Sequence, residues 1–135
     1  MSRDSTMRAS CCAVLIAILT PIAALGQVQG DYQSGPGLSL RMVELDIDDA
    51  NRTLVAADLA LERRIGGGCA GRIAGIGWIA GNTLRLSRHS ERSTAHRCVV
   101  RIRFDLRGTV GDVTEESDCT AWRGVTCEFA GKVVR

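Results

Sequence analysis

The sequence lacks a strong excess of charge, a second long apolar run and a recognisable catalytic motif. Its 135 residues include 17 basic and 15 acidic side chains. Without Arg3, Arg8 and Asp4 these become 15 and 14, a net charge of +1. A non-specific nucleic-acid binder normally carries a clear positive excess, so we expect no nucleic-acid partner. Beyond residue 26 no apolar run has the length of a membrane span, so we expect no transmembrane segment in the mature chain.

The acidic and histidine residues show no catalytic or metal-binding pattern. The carboxylates of 114–118 (TEESD) lie on a short turn and diverge, whereas a glycosidase pair faces a cleft. His89 and His96 lack the tight pairing of structural zinc ligands. The segment 46–51 lacks an oxygen ligand at the fifth position of a calcium loop and the glycine at its sixth. We therefore expect no metal, no cofactor and no enzymatic activity; an unrecognised small hydrolase remains as an alternative.

The glycine-rich stretch 69–86 lacks the context of a nucleotide site. A phosphate cradle needs a strand, a glycine loop and a helix, whereas the residues that follow here are typical of a strand. We interpret the glycines as bends or bulges of a small curled sheet, with room for Trp78 to pack over one of them. They are Gly71, Gly75, Gly77 and Gly81.

Residues 1–26 are typical of a signal peptide. A positively charged start precedes an apolar run over roughly residues 11–25, and small residues favour cleavage after Gly26. The run is short for a spanning helix, which disfavours a retained anchor. The sequence therefore predicts a periplasmic or secreted protein.

Four of the six cysteines remain after this cleavage. An even number in a small exported protein predicts two disulfides. Of the three possible pairings we favour Cys69–Cys98 with Cys119–Cys127, because the short spacing of the second pair suits local loop closure.

From residue 41 onward, apolar residues recur with a period of two, which is typical of half-buried antiparallel strands. In 41–48 (RMVELDID) the apolar side consists of Val43, Leu45 and Ile47. In 57–63 it contains Leu59 and Leu61. In 98–108 it consists of Cys98, Val100, Ile102, Phe104 and Leu106. In 125–133 it consists of Val125, Cys127, Phe129, Gly131 and Val133.

Turn signals separate these runs into about seven or eight short strands. The pattern predicts an all-β fold, a small antiparallel barrel or sandwich with two disulfides. We predict one domain over 41–135, preceded by a flexible lead-in over 27–40. On propensity alone, 51–64 is also compatible with a helix.

The segment 119–129 (CTAWRGVTCEF) is the first candidate binding element. Trp122 and Arg123 are expected near the tip of a disulfide-closed loop, with Gly124 allowing a positive φ. Tryptophan and arginine are enriched at binding hot spots. The alternative is a clasp, in which Trp122 covers an open end of the barrel and Arg123 is solvated.

A row of arginines is the second candidate. Arg101, Arg103 and Arg107 share the outward face of one predicted strand, and Arg85 joins them if 83–87 pairs with it. Such a row is either a solvated face that discourages aggregation or a site for lipid headgroups, glycans or an acidic protein.

Several frames in 69–135 resemble those of small exported bacterial proteins of unassigned function. They are Cys119-x7-Cys127-x-Phe129-x-Gly131-x3-Arg135, C-x-G-x-I from Cys69, 81–86 (GNTLRL) and C-x-V-x-I-x-F from Cys98. In size, export and disulfide-tied strands, such proteins are similar to periplasmic lysozyme-inhibitor-like β-barrels. The resemblance implies a β-barrel and carries no site residue to this chain.

The sequence as a whole predicts a monomeric binding or inhibitory module of the bacterial cell envelope, with a protein or glycan partner. The alternative is a structural or assembly protein that binds an anionic surface through the arginine row. The candidate contact residues are Trp122, Arg123, Gly124, Arg101 and Arg103.

Overall fold

The computed structural model describes residues 28–35, 37–48, 52–63, 68–90 and 93–135, with the backbone alone at 89–90 and 93–96. The predicted signal peptide 1–26, the centre of the segment 46–51 and the side chains of His89 and His96 lie outside the described part. The elements are β1 (Gly30–Gln33), β2 (Leu38–Ile47), β3 (Thr53–Arg63), β4 (Cys69–Ala80), β5 (Thr83–Ser90), β6 (Ser93–Phe104), β7 (Val110–Glu115), α1 (Thr120–Arg123) and β8 (Gly131–Val134).

The eight strands form one closed antiparallel barrel in chain order, which confirms the predicted all-β class. Each strand pairs with the next, and β1 closes the barrel by pairing with β8 through Gln33 and Val134. The helix that propensity allowed over 51–64 is strand β3, fully paired with β4 from Thr53 to Arg63. Closure removes the free sheet edges that would otherwise pair with other chains.

Apolar side chains of alternate strand positions fill the barrel. The phases predicted for β3 and β6 are correct, since Leu59, Leu61, Cys98, Val100, Ile102 and Phe104 are all buried. Cys127, Phe129 and Val133 are also buried as expected. Leu106, Val125 and Gly131 are exposed instead. Leu106 and Val125 lie in turns, and Gly131 is the first residue of β8.

The predicted phase of β2 is wrong. Met42 is buried, whereas Val43, Leu45 and Ile47 are 51%, 50% and 55% exposed. Alternation shows that a strand has two different faces but not which face is inside. The inward side of β2 is formed by Leu38, Leu40 and Met42. The register of β2 against β3 then shifts between Glu44 and Asp46, which marks a bulge.

The predicted flexible lead-in over 27–40 is also wrong where it meets the barrel. Residues 30–33 form β1, and the first three residues of β2 lie before residue 41. Tyr32 is fully buried, and its hydroxyl lies 2.7 Å from the carbonyl oxygen of Val28 and 2.6 Å from that of Gly108. These contacts fix the start of the domain to the turn between β6 and β7.

Two disulfides are present, but with a different pairing from the one favoured above. Cys69 is bonded to Cys127, and Cys98 to Cys119, with Cα–Cα distances of 6.0 and 4.6 Å. Cys69 begins β4 and Cys98 lies on β6; because β5 separates these strands, the two residues are not neighbours. The connection 116–130 folds back over the barrel and brings one cysteine to each of them.

The glycines of β4 allow close approach from inside the barrel, as the interpretation of strand bends implies. A Cβ on Gly77 would lie 2.8 Å from the carbonyl oxygen of Arg85 on β5. A Cβ on Gly71 would lie 2.6 Å from the Cβ of Arg123 in α1. In β4 only Ile79 and Ala80 pair with β5. The helix α1 packs against the first half of β4. Trp78 points outward and is 38% exposed.

Candidate functional site

The segment around α1 is built as a clasp. Its two cysteines are buried, and each is bonded to a different strand, so no disulfide closes a 119–127 loop. Trp122 is half-buried against the core. Gly124 has a φ of 80° and ends the helix exposed, in the left-handed region that glycine tolerates. Trp122 therefore presents only part of its surface to a partner.

Arg123 is buried, contrary to both expectations for it. Its guanidinium donates to both carboxylate oxygens of Glu115, at 2.8 and 2.6 Å, and to the carbonyl oxygen of Gly124 at 2.6 Å. The side chains of this pair are only 8% and 11% exposed. A bidentate pair of this kind fixes orientation as well as charge. Sequence reasoning missed it because the partner lies on the strand before the helix.

Glu115 also organises the backbone of the clasp. Its carboxylate accepts hydrogen bonds from the amides of Cys119 and Phe129, at 3.1 and 3.2 Å. Burial alone would raise the pKa of Glu115, but the hydrogen bonds from Arg123 and from these amides hold the pKa below its usual value. Both carboxylate oxygens are thus engaged in holding the segment together.

The arginine row has the predicted pairing. Arg85 on β5 lies directly opposite Arg101 on β6, and Thr83 lies opposite Arg103. Glu116 lies between the two opposed arginines, with its carboxylate 2.5 Å from Arg85 and 3.3 Å from Arg101. Glu115 and Glu116 thus bind different arginines and diverge. Arg107 does not join the row, because it lies in the turn after β6.

A second surface emerges, and sequence reasoning placed its β2 side chains inside the barrel. We call it the apolar face: the outward side chains Val43 and Leu45 of β2 with Ile76 and Trp78 of β4. Ile76 is 65% exposed and Trp78 is 38% exposed. The register joins Val43, Ala56 and Ile76 in one row across three strands. The neighbouring outward row joins Asp46, Leu54 and Trp78, whereas Ile47 lies opposite Thr53 in the inward phase. The exposed apolar side chains are therefore contiguous.

The centre of the apolar face is a shallow depression of about 350 Å³. Small side chains form its floor, because Ala56 and Ala74 separate the larger side chains on either side. Its lining is Arg41, Val43, Ala56, Ala57, Asp58, Ala74, Gly75 and Ile76. A depression between large apolar side chains is the shape that receives an apolar side chain of a partner.

Charged residues border the apolar face at both ends. At one end the guanidinium of Arg52 lies 4.9 Å from the centre of the Trp78 ring and is paired with Asp48. At the other end Arg72 is paired with Asp58, and Arg41 is paired with Asp31 at 2.8 Å. An apolar centre with a polar rim is the general form of a protein interface.

Both phases of β2 are apolar, and this is the sequence signal for the apolar face. Residues 38–42 (LSLRM) place leucine and methionine on one side, and 43–45 (VEL) place valine and leucine on the other. A strand that is apolar on both sides has both faces covered in many folds. Here only the inner side is covered within the described part of the chain.

Comparison with family models, with curated proteins and with solved structures gave no match. Within the described part of the chain, no helical segment has the length and apolarity required to cross a bilayer. The described side chains contain no group of three histidines, cysteines or carboxylates suited to a metal ion. The two disulfides are typical of an oxidising or extracellular compartment.

Proposed function

We propose that the chain is an exported binding module that holds a protein partner on the apolar face. The observation that carries this proposal is the contiguity of four large, exposed apolar side chains on β2 and β4, with Leu54 and Ala56 of β3 between them. Exposed apolar patches beyond a few hundred Å² are uncommon on monomers and mark interaction sites. Covering this surface gains roughly 25 cal/mol for each Å² removed from water.

The apolar face is a better contact than the segment around α1. Trp122 is half-buried, and Arg123 has no guanidinium surface to offer while it is bound to Glu115. The apolar face, in contrast, includes a tryptophan whose ring is already oriented by Arg52. A rigid aromatic side chain in a preformed position loses little entropy on binding. Trp122 and Gly124 then contribute to the stability of the scaffold rather than to the contact.

The compartment follows from the predicted signal peptide together with the two disulfides. A bacterial periplasm or the medium would supply the oxidising conditions that both bonds need. The inhibitory role that the sequence left open stays a prediction, as does the absence of catalysis.

The test is capture of a partner from an envelope extract of the producing cells with the mature, oxidised domain. Ile76→Glu places a carboxylate at the centre of the apolar face, and we expect it to weaken the captured complex by at least thirtyfold, about 2 kcal/mol. Leu106→Glu is the matched control, because Leu106 is 83% exposed and lies in a turn outside the face. Equal retention of the partner by both variants would show that the contact lies elsewhere.

Self-association is a separate outcome of the same variants. If the apolar face pairs two copies of the chain, the wild-type domain forms a dimer in light scattering at micromolar concentration and Ile76→Glu is monomeric. That result would replace a partner protein by a second copy and would contradict the prediction of a monomer.

A further inference from the structure

The outer surface of β5 and β6 carries a group of positive charges. We call it the cationic face: Arg85 of β5 with Arg97, Arg101 and Arg103 of β6. Two like charges directly opposite on neighbouring strands are unfavourable, and Arg85 and Arg101 are such a pair. Glu116 contacts both arginines and offsets part of this repulsion, and the remaining positive charge faces outward, where an anionic ligand can reach it.

A single carboxylate compensates these four positive charges only in part. Glu116 binds both Arg85 and Arg101 with its single carboxylate. Arg97 donates to the hydroxyl of Ser87 at 2.6 Å. Neither Arg97 nor Arg103 forms an ion pair with a described residue. Asp112, which lies opposite Arg103 in the β6–β7 register, is 3.9 Å from Lys132.

The arrangement of the arginines is linear. Arg97, Arg101 and Arg103 are all odd-numbered positions of β6 and share its outward phase. At about 3.3 Å a residue, they span roughly 20 Å along the strand. Arg85 adds a second guanidinium beside the middle of the row. Guanidinium groups bind carboxylate, sulfate and phosphate in a bidentate manner, so each arginine is suited to one anionic group of a ligand.

We propose that the cationic face binds a linear anionic polysaccharide, with successive acidic groups of the polymer along β6. A row one strand wide on a convex barrel wall follows an extended chain more closely than it follows a flat lipid surface. A bilayer would also meet Asp112, which is exposed beside the row. The binding step includes displacement of Glu116 from Arg85 and Arg101, because the polymer competes for the same guanidinium groups.

Because Glu116 competes for these arginines, its removal should raise the affinity for the ligand. A purely structural role of the arginines would not produce such a gain. Glu116→Gln removes the internal competitor and leaves both arginines free, so we expect at least a threefold gain in affinity for polygalacturonate and for dextran sulfate. The double change Arg97→Ser with Arg103→Ser should lower the affinity at least tenfold and reduce its dependence on salt, since fewer counterions are released. Neutral dextran should not bind.

The matched control is Arg41→Ser with Arg72→Ser, which removes the same charge from β2 and β4, outside the cationic face. We expect it to retain polysaccharide affinity within about twofold. An equal loss in this control would show that binding follows net charge, and no gain for Glu116→Gln would show that its arginines do not contact the polymer; either result overturns the proposal.

Two further ligands complete the experiment. Vesicles that contain phosphatidylglycerol test a lipid surface, and single-stranded DNA tests a nucleic acid. Tighter binding of either one than of the polysaccharides, with the same loss in the Arg97 and Arg103 variant, would assign the cationic face to that ligand and overturn the proposal. Ile76→Glu should not change any of these affinities, because its side chain lies on the apolar face.

Discussion

Gly71 is the residue at which α1 meets the barrel. The position of its missing Cβ is 2.7 Å from the Cα of Arg123 and 2.8 Å from the carbonyl oxygen of Trp122. Both are backbone atoms, and Cys98–Cys119 and Cys69–Cys127 hold the segment on either side. The helix therefore has little freedom to move away from β4.

We expect Gly71→Ala to destabilise the domain by about 1–3 kcal/mol, the usual cost of an overpacked site. Gly75→Ala is the matched control four residues further along β4, because its Cβ would meet only the flexible side chain of Arg88 at 3.6 Å. That change should lie within about 0.5 kcal/mol of the wild type. Urea unfolding of the oxidised proteins measures both; equal stability of the two variants would show that α1 can shift.

At the scale of elements, β7 and α1 are joined through Glu115 and Arg123. The pKa of Glu115 is lowered in the folded protein, so the unfolded chain binds more protons in acid. This stabilisation is complete above the unfolded pKa of about 4.3 and is lost as the pH falls through the lower folded pKa. The domain should therefore lose stability below about pH 4.

Glu115→Gln isolates this contribution. The variant leaves Arg123 buried without a counter-charge, and we expect a loss of about 3–5 kcal/mol at neutral pH. Because Asp58 and Asp105 also have lowered pKa values, the acid loss of the wild type has several sources. The difference between the wild type and Glu115→Gln should shrink on acidification; a difference that is constant from neutral pH to about pH 3 would contradict the assignment.

Arg123→Ala should lower the free energy of unfolding by as much as Glu115→Gln. This outcome is the reverse of the expectation from sequence, in which a solvated arginine contributes little to stability. The exposed ion pairs of Glu116 provide the comparison, since Glu116→Gln should cost under about 1 kcal/mol. Thermal melting with intact disulfides gives both values. If Arg123→Ala melts with the wild type, the pair is not a stabilising contact.

The strands were predictable from sequence because their alternation is local. Cys98, Val100 and Ile102 alternate with arginines, and charge on one side alone identifies the inner side. Val43, Leu45 and Ile47 alternate with acids in the same way, yet all three are exposed. The inner side of β2 depends on residues 38–42 and on a bulge, and only the closed barrel decides between the two phases.

The pairing of the cysteines and the partner of Arg123 were not predictable for a different reason. Each contact joins residues that are distant in sequence or that lie across a turn, and each depends on how 116–130 folds over the barrel. Spacing alone favours closure of the shortest loop. It carries no information on which strand a cysteine reaches, so Cys119 was assigned to Cys127 rather than to Cys98.

At the scale of the whole molecule, the barrel carries different chemistry on its two sides. The apolar face lies on β2–β4 and the cationic face on β5–β6, and the ion-paired Arg41 and Arg72 border one end of the apolar face. The two proposals therefore assign a protein partner and an anionic polymer to different strands of the barrel. The affinities of the two faces should be independent, because no charged or apolar side chain belongs to both.

The two disulfides connect these sides through 116–130, and they should contribute unequally to stability. Cys98–Cys119 closes a separation of 21 residues and Cys69–Cys127 one of 58. The chain-entropy model then gives about 3 kcal/mol for the first bond and about 4 kcal/mol for the second. Both are large fractions of the roughly 5–15 kcal/mol that stabilises a domain of this kind.

Paired serine variants measure this difference. We expect Cys69→Ser with Cys127→Ser to be less stable than Cys98→Ser with Cys119→Ser by about 1 kcal/mol, because the longer loop restricts the unfolded chain more. Each variant should retain one disulfide and no free thiol, which alkylation and peptide mapping establish. A variant with Cys69 and Cys127 replaced that shows two reactive thiols would contradict the Cys98–Cys119 bond. If the variant without Cys98–Cys119 is the less stable one, native contacts of α1, rather than restriction of the unfolded chain, determine how much each disulfide stabilises the domain.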